Sequence, residues 1–324
     1  MKIKRLNGDS RIPLVVQAEE TDADPAIWAK TNQAALFQLL LEYGAILLRG
    51  FSVPSLSVFT ELARVTSVEL MEYTEPSTSR TRLSQDVYTT TEYPATENIP
   101  LHNEMSYSHI WPMKIWFHCV TPPDKGGETP IGDSRKIFCR VDPAIRRRFA
   151  ERGVMYVRNF GGGMGLPWQT VFRTESKDVM AKRCRAARIE YEWTGGGRLR
   201  TRQVRQAVAQ HPSTGEMVWF NQAHIHNVLN FHPGLREAIL SIAEDEDYPL
   251  DINASYGDGS PIEASVFEEI NGAYKEETVS FRWRKGDVMM LDNMLTAHGR
   301  TRFTGPRKIV VAMGDPSSEE GIAS

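Results

Sequence analysis

The sequence predicts a mainly β fold with added helices, a barrel or sandwich rather than a repeating βαβ sheet. Three observations point there. A capped helix comes first and runs directly into a short apolar strand. Later, Val279, Phe281 and Trp283 alternate with Ser280, Arg282 and Arg284, the period of a strand with one buried face. Between these, apolar runs bounded by glycine or proline recur with helical stretches inserted among them, not in strict alternation.

Asp24 is a capping residue and Pro25 suits the first helical position, so one helix is expected with Trp28, Ala35, Leu36, Leu39, Leu40 and Tyr43 at helical spacing. Gly44 ends it, and residues 45–51 read as a buried strand. A second helix is expected over 55–65, with Phe59, Leu62 and Ala63 inward. Residues 71–100 are polar and rich in Thr, Ser, Glu and Pro, the composition of a lid or of an ordinary surface loop. Residues 114–120 read as a strand and 122–127 as a turn. Asp142-Pro143 opens a helix carrying Ile145 and Phe149, closed by Gly153, and another is expected over 175–187. The glycines at 161–165 lack the third glycine of a dinucleotide fingerprint and read as a flexible loop near the site. Residues 217–221 are expected as a central strand and 233–243 as a helix. A turn at 285–287 leads to a strand over 288–292, and a last strand covers 307–313.

With 324 residues, 41% hydrophobic and 24% charged, the chain has material for a sizeable core, and one domain over residues 1–324 is expected. A net charge of -3 gives no reason to expect nucleic acid or an anionic membrane as partner. The basic start is followed by no apolar h-region, and no run approaches a membrane span, so a cytoplasmic location is expected. Cys119, Cys139 and Cys184 are odd in number and widely spaced, which suits reduced, mostly buried thiols.

His102 and Glu104 flank one residue, so on a strand both would face the same side and reach one metal ion. Alone, a His-x-Glu more often decorates a solvated strand face. His298, far along the chain, is the best candidate for a third ligand, and two histidines with one carboxylate suit Fe(II) with open positions. His224-x-His226 competes, but no carboxylate ligand follows it; His211 and His232 precede prolines and suit turns or helix starts. Asn221 and Gln222 are candidates to orient a ligand or substrate, and Ser106 and Tyr107 to line the pocket.

His102-Asn103-Glu104, Gly126-Gly127-Glu128-Thr129, His298-Gly299-Arg300 and Arg307 together resemble the pattern of the taurine dioxygenase/TfdA family of Fe(II)- and 2-oxoglutarate-dependent dioxygenases. The resemblance implies a double-stranded β-helix, or jelly roll, with N-terminal helices over 1–70, a core over 95–315 and a helical insertion near 140–245 covering the barrel mouth. It implies Fe(II) on His102, Glu104 and His298, with 2-oxoglutarate and O₂ as cosubstrates, and oxidation of an unactivated C–H bond. Thr129 and Arg307, otherwise a turn residue and a surface charge, would bind the distal carboxylate of 2-oxoglutarate. Glu104 argues against the related halogenases, which lack that carboxylate.

The place where taurine dioxygenase keeps a sulfonate-binding arginine is Val311, which argues against taurine. The runs at 101–108, 126–135, 219–222 and 292–300 look most like the clavaminate-synthase-like branch that hydroxylates amino acids in peptide natural-product assembly. The expected substrate is an amino acid tethered to a peptidyl carrier protein. Hydroxylation of a free amino acid is the alternative, with Arg158, Arg200 or Arg202 as the compensating cation. A ligand-binding jelly roll without turnover is a second alternative, disfavoured by the complete His/Glu/His set.

Overall fold

The computed structural model describes residues 2–6, 11–20, 22–73, 80–84, 86–162, 165–231, 234, 236–237, 241 and 251–319. Its largest unit is a seven-stranded sheet in the order Lys2–Arg5, Leu14–Gln17, Ala45–Arg49, Val288–Asp292, Ile110–Thr121, Lys308–Ser318, Tyr88–Thr89. Only Leu14–Gln17 and Ala45–Arg49 pair parallel within it. The middle strands are covered on both faces, which is why Ala45–Arg49 and Val288–Asp292 are buried along their whole length. On one face Trp116, Met290, Val310 and Ala312 pack against the N-terminal helices through Leu36, Leu40, Phe59 and Leu62. On the other, Phe117, Cys119, Leu291, Ile309 and Val311 share a core with Ile131, Phe220, Phe281 and Trp283. A three-stranded sheet of Ile99–His102, Thr296–Arg300 and Ile131–Asp133 lies on that inner side. The ring of His298 is 5.1 Å from that of Phe117, so the small sheet presents His298 toward the large one.

Residues 134–277 supply the second body of structure. A four-stranded sheet runs Glu190–Trp193, Leu199–Arg205, Val154–Phe160, Ile252–Tyr256. Phe160 and Leu199 pack with Met180 and Cys184 of the helix Lys177–Ala186. Tyr156 and Ala254 pack with Phe267 and Ile270 of the helix Ala264–Glu277. Among the described residues no helix is long and apolar enough to cross a membrane.

Several expectations need correction. The first helix is two, Pro25–Thr31 and Gln33–Tyr43, broken at Asn32, whose φ of -112° and ψ of 22° are not helical. In the second segment Leu36 and Leu40 are buried while Ala35 is exposed. Gly44 ends it at φ 75°. The expected central strand over 217–221 is Met217–Trp219, paired only with Val208–Gln210 among the described residues. Asn221 leaves the ladder because its side chain takes the Ala207 carbonyl and the Ala223 N–H. Phe281 and Trp283 face inward as the alternation predicts, but pairing there is a single bridge between Ile131 and Val279. The expected helix over 233–243 falls largely outside the described residues, as do His232 and part of the glycine loop.

Candidate metal centre

His102 is the last residue of the strand Ile99–His102, and it pairs across the small sheet with His298 of Thr296–Arg300. Glu104 is not on a strand: it sits in the turn that follows, before Met105 at φ 56°. The turn, rather than strand alternation, brings its carboxylate round. Asn103 points away from the ligands, its amide donating to Ser134 Oγ at 3.0 Å and to the Asn293 carbonyl at 2.6 Å. One ligand atom each from His102, Glu104 and His298 lies within 4.8 Å of the others, the one such group of three among the described residues. Glu104 Oε2 is 3.7 Å from His298 Nε2.

The protonation states suit a metal. His102 Nδ1 lies 2.9 Å from the Pro100 carbonyl, which can only accept, so Nδ1 carries the hydrogen and the Nε2 lone pair is left for an ion. Burial, and then the neighbouring His298, pull the His102 imidazole down to about 4, so it is neutral at pH 7. Burial alone would raise the Glu104 carboxyl; the Arg80 guanidinium beside it, with the two histidines, outweighs burial and holds it below the usual carboxylate range. Two imidazoles and a carboxylate form the donor set of a site that leaves several metal positions open.

A cavity adjoins the triad, with His102, His298, Thr129, Arg300, Arg307 and Arg80 in its walls. Arg307 Nε donates to the Gly127 carbonyl at 2.9 Å. A Cβ at Gly126 would lie 2.1 Å from the Arg302 carbonyl, and one at Gly127 would crowd the Arg307 stem at 3.0 Å; both residues have positive φ. Burial, and then Arg300, pull Arg307 down to about 10, which leaves it charged at neutral pH. The indole N–H of Trp283 donates to Thr129 Oγ1 at 3.1 Å, so the hydroxyl hydrogen remains to be donated elsewhere.

Other candidates are placed differently. Ser106 is fully buried, and Tyr107 packs edge-on against His226 at 5.7 Å and Tyr156 at 6.2 Å; neither borders the cavity. Gln222 is a support: its amide donates to the Asn103 carbonyl at 2.8 Å, between the two ligands. Asn221 holds its own loop. Arg200 and Arg202 both bond Glu192, at 3.2 and 2.8 Å, on the four-stranded sheet. Arg158 is buried over Phe160, its charge felt by His226 and Asp251. His224 bonds the Leu101 carbonyl at 2.9 Å and His211 bonds Asp292 at 3.0 Å, so both have structural partners. Sequence reasoning missed Arg80, Thr90 and Thr91 in the cavity, and Trp283 and Asn293 behind it. The Asp292-Asn293 pair ahead of the late histidine was the one visible signal.

Comparison with known proteins agrees with the geometry. Residues 6–313 match the family model described as taurine catabolism dioxygenase TauD, TfdA family. The chain is 36% identical over 314 residues to the dapdiamide synthesis protein DdaC of Enterobacter agglomerans, covering 96% of this chain and 95% of that one. It is 30% identical over 294 residues to a clavaminate synthase-like protein of Arabidopsis thaliana, covering 88% and 85%. The solved structure of PvcB from Pseudomonas aeruginosa superposes with a TM-score of 0.55 at 14% identity, over 93% of this chain and 84% of that one, and shows the shared jelly-roll fold. The chain is therefore an Fe(II)- and 2-oxoglutarate-dependent dioxygenase and belongs to the TauD, TfdA family.

Proposed function

We propose that His102, Glu104 and His298 hold the Fe(II), that Arg307 and Thr129 hold the distal carboxylate of 2-oxoglutarate, and that the enzyme oxidises an unactivated C–H bond of a carrier-bound amino acid during natural-product assembly. Bound there, Fe(II) would supply redox chemistry with O₂ as the oxidant, one oxygen atom passing to succinate as 2-oxoglutarate loses CO₂ and the other to the C–H bond. The chain does the rest. A neutral His102 and an ionised Glu104 are ready to ligate without losing protons first. Arg307 and the Thr129 hydroxyl fix one end of the cosubstrate, and Phe117 and Ile99 give the cavity an apolar wall that excludes water. A cytoplasmic setting fits the free thiols.

The observation that carries the substrate class is the 36% identity, along nearly the whole of both chains, to a protein of dapdiamide synthesis. The cavity supports tethering. Val311 is 1% exposed within the apolar core, opposite Tyr88, so the strand carries no second cation there. Arg200 and Arg202 are engaged by Glu192. A substrate carboxylate masked as a thioester needs no such anchor, whereas desolvating a free one without a partner is costly. The buried Arg158 is the observation favouring a free amino acid.

Succinate release tests the choice, with each amino acid offered free and as a carrier or pantetheine thioester at equal concentration. Faster turnover of the thioester is expected. Equal or faster turnover of the free acid, lost in Arg158→Gln, transfers the proposal to the free amino acid.

A further inference from the structure

The cavity contains a third arginine beside Arg300 and Arg307. Arg80 comes from the polar segment ahead of the ligand strand, and its side chain is 5% exposed. Its Nη2 donates to Glu104 Oε2 at 2.7 Å and reaches Thr91 Oγ1 at 3.4 Å. Nη1 lies 4.0 Å from Met313 Sδ, and the guanidinium covers the Tyr73 ring at 4.3 Å. Nε is buried with no hydrogen-bond partner among the described residues. Glu104 thus engages part of this five-donor fork, and the remainder is held beside the metal ligands by packing.

The arginines of the cavity differ in what they have left to offer. Arg300 is tied to the carbonyls of Tyr93, Pro94 and Glu97 at 2.9, 2.6 and 2.9 Å. Arg307 belongs to the Gly127 turn. A 2-oxo diacid carries a carboxylate at each end, and Arg80 and Arg307 line one cavity together with His102 and His298. Glu104 Oε2 adjoins both Arg80 and His298 Nε2, at 2.7 and 3.7 Å. A metal ion on the triad would therefore stand close to the Arg80 charge, and an anion lying between the two cations would relieve their repulsion.

We infer that Arg80 is the anion anchor at the metal end of the cavity: it binds the carboxylate adjoining the keto group of the 2-oxo acid while steadying Glu104. The inference rests on the cosubstrate assignment proposed above. It also accounts for Val311, because Arg80 enters from the preceding polar segment beside Met313, two residues further along the same strand. With Arg80 committed to the cosubstrate, it is not left over for a substrate carboxylate.

Calorimetry on the full-length protein loaded with Mn(II) tests this, using 2-oxoglutarate and 2-oxobutyrate; the latter keeps the keto-acid end but lacks the distal carboxylate. Arg80→Gln should weaken both by about tenfold or more, the loss expected for a charged hydrogen bond, while Arg307→Gln weakens 2-oxoglutarate alone. Arg80→Lys should recover part of the loss. Circular dichroism and Mn(II) titration establish that the variants fold and take up metal. Arg80→Gln with both affinities within about twofold of wild type would overturn the anchor. So would loss of Mn(II) uptake in that variant with 2-oxo acid affinity unchanged in Arg80→Lys, since support of Glu104 would then be its whole role. Wild-type protein that takes up Mn(II) but binds neither acid would instead remove the cosubstrate assignment beneath it.

Discussion

The side-chain amide of Asn293 brackets the backbone of Glu104: Oδ1 accepts the Glu104 N–H at 2.7 Å, and Nδ2 donates to the Glu104 carbonyl at 2.9 Å. Nδ2 also reaches the Pro112 carbonyl at 2.8 Å. This clamp fixes the ligand-bearing turn to the turn that leads into the His298 strand. Truncating it strands buried backbone groups, so Asn293→Ala should lose about 3 kcal/mol of unfolding free energy and bind metal more weakly. Urea unfolding and Mn(II) titration measure the two effects; a variant as stable as wild type would show that the clamp is incidental.

Single alanine substitutions at His102, Glu104 and His298 should each remove most iron binding and turnover, because each offers one of the three candidate ligand atoms within 4.8 Å. Iron content after anaerobic loading and desalting is the measurement. Full occupancy in all three variants would move the metal elsewhere.

Arg307→Ala should raise the 2-oxoglutarate requirement by about tenfold or more, and Thr129→Ala by less, since a charged fork outweighs one hydroxyl. Trp283→Phe should give a smaller rise, because it frees the Thr129 hydroxyl to rotate. Succinate formation against 2-oxoglutarate concentration resolves the order. An unchanged requirement in Arg307→Ala would contradict the assigned grip.

His224 is 3% exposed and stacked on Tyr274 at 4.4 Å, and burial pulls it down to about 4. Burial, and then Arg158, pull His226 to about 3. An unfolded histidine titrates near 6.5, so between there and about 4 the unfolded chain binds protons that the folded chain refuses. Stability should therefore fall as pH drops through that window, by roughly 1.4 kcal/mol per pH unit for each histidine at full slope. Urea midpoints at intervals between pH 7 and 5 follow it. His224→Gln keeps a donor for the Leu101 carbonyl and should flatten the slope; an equally steep variant would assign the dependence to other groups.

The metal set was legible because imidazole and carboxylate are scarce enough that their order along the chain carries information. The strand geometry invoked for it was not, since the strand ends at His102 and the chain turns from Glu104 onward. Helix starts at Asp24 and Asp142 are local chemistry and were visible as such, whereas the Ser55 cap was not singled out. The break at Asn32 was hidden because Trp28, Leu36 and Leu40 keep a helical spacing across it. Arg80 was hidden for a different reason: nothing within residues 71–100 shows that this segment reaches the strand ending at residue 318. Arg200 and Arg202 looked available, but Arg200 lies directly opposite Glu192 in an antiparallel pair, and that register depends on the fold.

The pairing of His102 with His298 makes the candidate donor set depend on two distant stretches of chain. Their strands are separated by nearly the whole jelly-roll core in sequence, and the large sheet places Val288–Asp292 and Lys308–Ser318 on either side of Ile110–Thr121. Such distant pairings close late. A chain that stops short of Thr296 has His102 and Glu104 but lacks the third residue of the candidate donor set. On the proposed assignment, a complete donor set for iron therefore waits for the strand Thr296–Arg300, and metal uptake becomes a property of the assembled fold rather than of any local segment.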